Sequence, residues 1–279
     1  MSVELNSIKR TKDSYSFLWR EGHRNSAAPR WHFNDMQEAI KEPIVRGRIG
    51  MDLGSGCGYD TYIMAENNPQ VKIVSLDISD GVFMTRGLTR RLENVLVLKG
   101  SALDLPLKSY ALDFVYSFGV LHHLVDPTQG LKEVHRVLKS GSRAFIYLYE
   151  DHSDNRIKSF ALKMVGIIRK ASVKLPPRLL FIISLLISPF VVLLFSWPAR
   201  ALSCFKPSSK LARAMPFNFG THPFSVAGDL FDRFSTPVEH RFSREGVAKL
   251  FQQAGFCNTR IEKLSSSAGW IARGEKSDA

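Results

Sequence analysis

Residues 49–60, Ile-Gly-Met-Asp-Leu-Gly-Ser-Gly-Cys-Gly-Tyr-Asp, constrain the fold of this chain more than any other stretch. An apolar approach ends in Asp52 and one apolar residue, and glycine then takes alternate positions at Gly54, Gly56 and Gly58. This is the pattern of a strand that stops in a tight turn and feeds a helix. Alternate glycines strip the turn of Cβ atoms, so its backbone can lie flush against a ligand. A dinucleotide loop, Gly-x-Gly-x-x-Gly, would need its third glycine where this chain has Tyr59. The third glycine here comes one residue early, so the loop suits a ligand without a pyrophosphate.

The following hundred residues repeat a strand–helix rhythm. Lys72–Ile78 is a short apolar strand with Asp77 near its end, where a carboxylate can accept two hydrogen bonds from the vicinal hydroxyls of a ribose. Val95–Ala102 predicts a third strand, running into a loop with Asp104-Leu105-Pro106. Ala111–Ser117 predicts a fourth and Arg143–Tyr149 a fifth. Between those two, Leu131–Leu138 reads as an amphipathic helix stopped by Lys139-Ser140-Gly141-Ser142. Strands alternating with helices imply βαβ units, a parallel sheet, and ligand binding at the carboxyl ends of the strands.

Residues 44–150 resemble the core of a class I S-adenosylmethionine-dependent methyltransferase. The resemblance is carried by five segments in order: Asp52–Gly58, Asp77-Ile78-Ser79, Leu105-Pro106-Leu107, Phe114–Leu124 and Val134–Ser142. It resumes at Glu245–Phe256, which is similar to the family's last helix and the turn before its final hairpin. The fold it implies is α/β: a Rossmann-like, seven-stranded, mostly parallel sheet with helices on both faces. The resemblance further implies S-adenosylmethionine as cofactor. Asp52 and the amides around Gly54, Ser55, Gly56 and Gly58 would then hold its methionine part, and Asp77 its ribose. Ile78 would flank the adenine, while Ser117 and Phe118 would close the site. Where the family commonly has Gly-Asp-Ala, this chain has Gly100-Ser101-Ala102, so the adenine amino group would meet a serine hydroxyl, a weaker acceptor than a carboxylate.

Charge divides the chain. Its net charge is +12, yet Asn155–Gly228 contains no Asp or Glu and eleven Lys or Arg, so the excess belongs to this one insertion. The predicted organisation is an N-terminal cap at 1–43, a methyltransferase core at 44–154 and 229–279, and a basic apolar helical insertion at 155–228. Within the insertion, Leu179–Trp197 runs for nineteen residues without a charge. As one helix it would be about 28 Å long, roughly one hydrocarbon thickness. A simple span fails on topology, because the chain must return to complete its sheet. Basic residues flank both ends (Arg169, Lys170, Lys174 and Arg178 before; Arg200, Lys206, Lys210 and Arg213 after), whereas a span favours one basic side. Pro189 sits mid-run, where it should kink or break a helix. A monotopic helical hairpin on an anionic membrane surface satisfies these facts. The alternative is a lid of packed helices or a homodimer interface.

Composition narrows the other classes. At 279 residues and 44% apolar content the chain can bury a full core. Three scattered cysteines make neither a disulfide framework nor a zinc site, so no metal is expected and a reducing compartment is. The first twenty residues lack an apolar signal segment, which points to a cytoplasmic location, peripheral on the inner face of the membrane. Nucleic acid is disfavoured, because the basic residues punctuate apolar helices rather than aromatic stacking platforms.

Methyl transfer needs a base only if the acceptor must lose a proton. The candidates at the mouth of the sheet are His240, Tyr149 and His123, with His122, Tyr147, Glu150, His222 and Glu239 nearby in sequence. The alternative for His240 is a plain role fixing its loop to Asp232. An aromatic N-terminal segment (Tyr15, Phe17, Trp19, Trp31, His32, Phe33) is placed to cover the acceptor, with a helix starting near Asn34. The function these features imply is transfer of a methyl group to a small, hydrophobic or lipid-linked acceptor, with oxygen the expected target and carbon second. Two rivals are a catalytically silent docking protein of the same fold and a nicotinamide-dependent oxidoreductase.

Overall fold

The computed structural model describes residues 3–22, 32–205, 226–264 and 269–277, with 211, 212, 215 and 217 besides. Trp31, Lys206, Lys210, Arg213 and His222 lie outside the described residues. The sheet is built from β1 (Ile49–Leu53), β2 (Lys72–Asp77), β3 (Val95–Lys99), β4 (Leu112–Phe118), β5 (Leu138–Tyr149), β6 (Phe256–Lys263) and β7 (Gly269–Lys276). Its order is β3-β2-β1-β4-β5-β7-β6. The first five strands are parallel, and β7 runs antiparallel to both β5 and β6. The seven-stranded Rossmann-like sheet expected from the sequence is therefore present. The strand order reverses between β1 and β4, which makes the carboxyl ends of these strands the topological switch point, where open α/β sheets bind ligands.

Apolar residues on both faces of the sheet are buried. Met51, Leu53, Val115 and Ile146 join one core cluster, and Ile73, Phe114, Tyr116 and Phe145 join the other. The covering helices are α1 (Val3–Phe17, continued by a π turn to Gly22), α2 (His32–Ile40), α3 (Tyr59–Asn67), α4 (Gly81–Leu88) and α5 (Pro127–Val137). Asp126 caps α5 by accepting from the Gln129 amide at 3.0 Å, and Pro127 pre-sets its first turn. β5 begins earlier than its sequence suggests. Lys139–Ser142 reads as a stop, and it lies within β5 as an irregularity: Leu138 pairs with Leu112 and Arg143 with Phe114, so four residues of β5 oppose one of β4.

The insertion departs from expectation most. Helix α6 (Arg156–Ser172) is followed by α7 (Pro177–Val191), a π turn (Val192–Ser196) and α8 (Trp197–Ser203), which run on as one helical rod of 27 residues. The run Leu179–Trp197 is thus not a hairpin folded at Pro189. Pro189 leaves the Leu185 carbonyl without its backbone donor, and the Ser188 hydroxyl supplies one at 3.0 Å, while the π turn takes up the remaining misfit. Helix α9 (Val226–Ser235) crosses the expected domain boundary at 228/229. It packs with the insertion, since Phe231 clusters with Leu180, Phe181 and Leu18. Helix α10 (Arg244–Gln253), capped by Ser243, then returns the chain to the final hairpin.

Candidate active site

The glycine loop sits at the switch point and is held by its own donors. The Gly54 and Ser55 amides donate to the Leu76 carbonyl at 2.7 and 3.2 Å, Gly58 donates to Ser55 at 2.9 Å, and Gly56 donates to Asp77 Oδ2 at 2.8 Å. The four amides assigned to the methionine part are therefore spent on the turn, because a tight buried turn must satisfy its own N–H groups. What the loop offers a ligand is a surface without Cβ atoms. At Gly54 (φ +77°) a Cβ would lie 2.1 Å from Val120, and only glycine tolerates that backbone with so close an approach.

Asp77 is the charged centre of this region. Oδ1 accepts from the Ser79 amide and hydroxyl at 2.7 and 2.6 Å and Oδ2 from Gly56, which fixes the carboxylate at the end of β2. Ile78 follows, half-buried, and the Ser101 hydroxyl accepts from the Leu103 amide at 3.1 Å beside buried Ala102. Ser117 donates to the Leu53 carbonyl at 2.9 Å and so binds β4 to β1 at the switch point. Phe118 stacks between Tyr147 and His32, at 4.1 and 4.2 Å between ring centroids. Asp52 is buried, one residue before the end of β1. Its Oδ2 accepts from Thr61 at 2.5 Å, and burial, with Asp60 and Asp77 nearby, pushes its carboxyl up to about 8. It ties β1 to α3.

Across the switch point lies a second, mostly enclosed cluster. His122 and His123 form a short turn after β4, and Tyr149 ends β5; the rings of His122 and Tyr149 stack at 3.8 Å. His123 Nδ1 lies 2.8 Å from the Val238 carbonyl. A carbonyl only accepts, so this nitrogen carries the proton and Nε2 keeps the lone pair. His123 Nε2 and both ring nitrogens of His122 are buried without a hydrogen-bond partner. Burial, above all, pushes both imidazoles below the ordinary histidine range, so they are neutral near pH 7. Burial pushes the Tyr149 and Tyr15 phenols well up in turn.

His240 is in the same cluster but aimed elsewhere. Its amide donates to the His122 carbonyl at 2.7 Å and its Nε2 lies 3.1 Å from the Leu124 carbonyl. These carbonyls, rather than Asp232 of the alternative reading, are the partners of His240. Helix α9 turns Asp232 toward α1, where it is hydrogen-bonded to Tyr15 and acts electrostatically on His123. The Tyr15 ring meets that of His123 edge-on at 5.9 Å. Of the N-terminal aromatic segment, Tyr15 thus meets this cluster. Asp232 in this role was not legible, because nothing local links it to Tyr15. The nearby group Glu150, His152 and Asp154 brings three donors within 4.8 Å, and Lys263 stands 2.6 Å from Glu150 Oε1.

Comparison with known proteins agrees with this geometry. Residues 51–146 match the model of a methyltransferase domain family, and they contain the glycine loop, Asp77 and the histidine pair. Residues 51–146, about a third of the chain, are thus a methyltransferase domain, on the Rossmann-like sheet that S-adenosylmethionine-dependent methyltransferases share. It is 26% identical over 145 residues to the uncharacterized methyltransferase YdaC of Bacillus subtilis, covering 51% of this chain and 77% of that one. Shorter stretches match two enzymes with different acceptors. One is the 2-methyl-6-phytyl-1,4-hydroquinone methyltransferase of Spinacia oleracea, at 28% identity over 39% of this chain and 33% of the other. The second is the tRNA (carboxymethyluridine(34)-5-O)-methyltransferase of Saccharomyces cerevisiae, at 35% over 37% and 36%. The methyltransferase thus spans about a third of the length of these two. A solved S-adenosylmethionine-dependent methyltransferase from Thermotoga maritima shares the fold (TM-score 0.51, 19% identity, 98% and 96% of the two chains).

The donor set fits S-adenosylmethionine. An ordered carboxylate, Asp77, ends β2 beside a Cβ-free loop, and the Gly100-Ser101-Ala102 turn lies next to it across the β2–β3 pairing of Asp77 with Lys99. One side chain shares the shelf: the Trp19 indole lies 2.9 Å from where a Cβ on Gly56 would be, and as close to Gly81.

Proposed function

We propose that this methyltransferase works at a membrane surface, methylating a small hydrophobic or lipid-linked acceptor, on oxygen rather than carbon. The observation that carries this reading is the outward face of the insertion. Along the rod from Pro177 to Ser203, Leu180, Phe181, Ser184, Val192, Ser196 and Ala199 turn inward, while nine large apolar side chains, from Leu179 to Trp197, are exposed. Both faces are apolar, and only one is covered. An apolar patch of this extent marks an interaction surface, and its basic flanks, Lys170, Lys174, Arg178 and Arg200, suit anionic headgroups. By length and composition the rod could cross a membrane, but α9 lies along its inner side, which supports a helix lying on the bilayer.

In this reading Asp77 binds the ribose hydroxyls, Ile78 and Ala102 flank the adenine, and Ser101 accepts from its amino group. S-adenosylmethionine brings a methyl group already activated on a sulfonium, so the protein's task is to place the acceptor and take its proton. His123 Nε2 is the base best prepared for that. Its tautomer is fixed by Val238, its burial keeps it unprotonated, and Tyr15, Tyr149 and His122 wall it from water. His240 and Tyr149 then position it. The Trp19 indole on Gly56 and the internally satisfied loop amides favour the silent-protein reading instead. Calorimetry with S-adenosylhomocysteine decides between the two: binding that collapses in Asp77→Ala supports the enzyme, and no binding to the folded parent refutes it. Flotation with phosphatidylglycerol vesicles tests the surface. Binding must be lost when Leu186, Phe190, Leu193 and Leu194 are all replaced by serine.

A further inference from the structure

A groove of about 610 Å³ runs between α6 and the loop that carries Pro237, Glu239 and Arg241. Four cations, Arg169, Lys170, Lys174 and Arg241, line it against a single carboxylate, Glu239. That carboxylate is already spent. Arg169 contacts it at 2.6 Å and Arg241 at 2.7 Å, and although burial resists its ionisation, the two guanidinium groups hold it below the ordinary carboxylate range. Lys170 and Lys174 therefore stand exposed over a floor that offers no free acid, in a segment without any Asp or Glu. The floor also leads inward: the Arg241 guanidinium lies 5.0 Å over the Tyr149 ring, whose stacking partner is His122. The groove is thus one side-chain layer from the acceptor cluster.

The other side of α6 completes the picture. Phe160, Met164, Ile167 and Ile168, at helical spacing, are exposed and apolar, and they lie on the face opposite Arg169 and Val173. A single helix carries an apolar outer face and a cationic, partly apolar inner one, with Leu162, Val165 and Val173 beside the cations. We infer that this groove binds the phosphate-bearing head of a lipid, with the phosphate at Lys170 and Lys174 and the tail along Leu162 and Val165, and so guides a membrane-derived acceptor toward His123. The inference rests on the membrane-surface reading but has a site of its own.

The test uses the full chain and a lipid that stays monomeric, dihexanoyl phosphatidic acid below its micellar concentration, with calorimetric readout. Binding is expected to weaken at least tenfold in the double variant Lys170→Glu/Lys174→Glu, whose far-ultraviolet dichroism and S-adenosylhomocysteine binding stay as in the parent. Dihexanoyl phosphatidylcholine and inorganic phosphate are expected to bind at least tenfold more weakly than phosphatidic acid. The serine variant of Leu186, Phe190, Leu193 and Leu194 should still bind the soluble lipid while failing to float, which separates this groove from the membrane surface. Equal binding of the two lipids, or indifference to the charge reversal, overturns the site. Inorganic phosphate binding as tightly as the lipid overturns the lipid assignment and leaves a site for free phosphate.

Discussion

The sheet and the rod from Pro177 to Ser203 are built from the same apolar residue types and use them in opposite ways. In the sheet, Phe114, Val115, Phe145 and Ile146 are fully buried, so their apolar surface stabilises the fold. In the rod, Leu186, Phe190, Leu193 and Leu194 are 56–67% exposed, so their surface does nothing for the isolated chain. Composition cannot separate the two uses, whereas burial can, and it assigns the first set to stability and leaves the second at the surface. The comparison predicts that stability and binding respond to different substitutions.

The largest effect belongs in the core. Phe114 is completely buried, and the glycine facing it, Gly50, has no room even for a Cβ, which would lie 2.0 Å from the ring. Phe114→Ala should cost about 3–5 kcal/mol, read as a lowered urea midpoint at unchanged m. Next comes the cofactor loop. Asp77→Ala removes the acceptor of three internal hydrogen bonds as well as the proposed ribose contact. It should weaken S-adenosylhomocysteine binding by about tenfold to a hundredfold, the scale of a hydrogen bond to a charged group. Trp19→Ala should move affinity the other way by a few fold, since the indole occupies the shelf over Gly56; weaker binding would instead show that the indole packs on the ligand.

Asp52 gives a prediction in pH. Its folded carboxyl is raised to about 8 while the unfolded one titrates near 3.9, so the folded state binds the extra proton between those values. That contribution to stability is full below about pH 4 and is lost as pH rises through about 8. Asp52→Asn keeps the shape without the titration and should flatten this part of the profile. His122 works in the opposite sense: its depressed folded value stabilises above about pH 6.5 and is lost on acidification. His122→Gln should therefore flatten the acid side alone, as measured by thermal melts across pH.

How much of this was legible follows from what is local. β1, β2 and the glycine loop announce themselves, because strand, turn and helix start are set within eleven residues. The extension of β5 back to Leu138 was not legible, since it depends on one pairing, Leu138 with Leu112, made across four irregular residues of β5 itself. Pro189 was misleading for a related reason: a proline predicts a break only if nothing else serves the orphaned carbonyl, and Ser188 serves it. The histidine pair could be named from sequence, but that the Val238 carbonyl fixes the tautomer of His123, and that Asp232 belongs with Tyr15, depends on contacts more than 100 residues apart.

The smallest expected effect on stability sharpens the opening comparison most. Leu186 is 67% exposed and Phe190 65%, so Leu186→Ser/Phe190→Ser removes little buried area and should change unfolding free energy by no more than about 0.5 kcal/mol per site. If the rod meets a bilayer, the same change withdraws two large side chains from the hydrocarbon and should cut partitioning into phosphatidylglycerol vesicles by tenfold or more. A protein-covered rod gives another signature: vesicle binding indifferent to the substitution, with a shift in sedimentation as a dimer dissociates. A marked loss of stability in the monomer would contradict both, because it would mean that these side chains are buried and that the rod packs like the sheet.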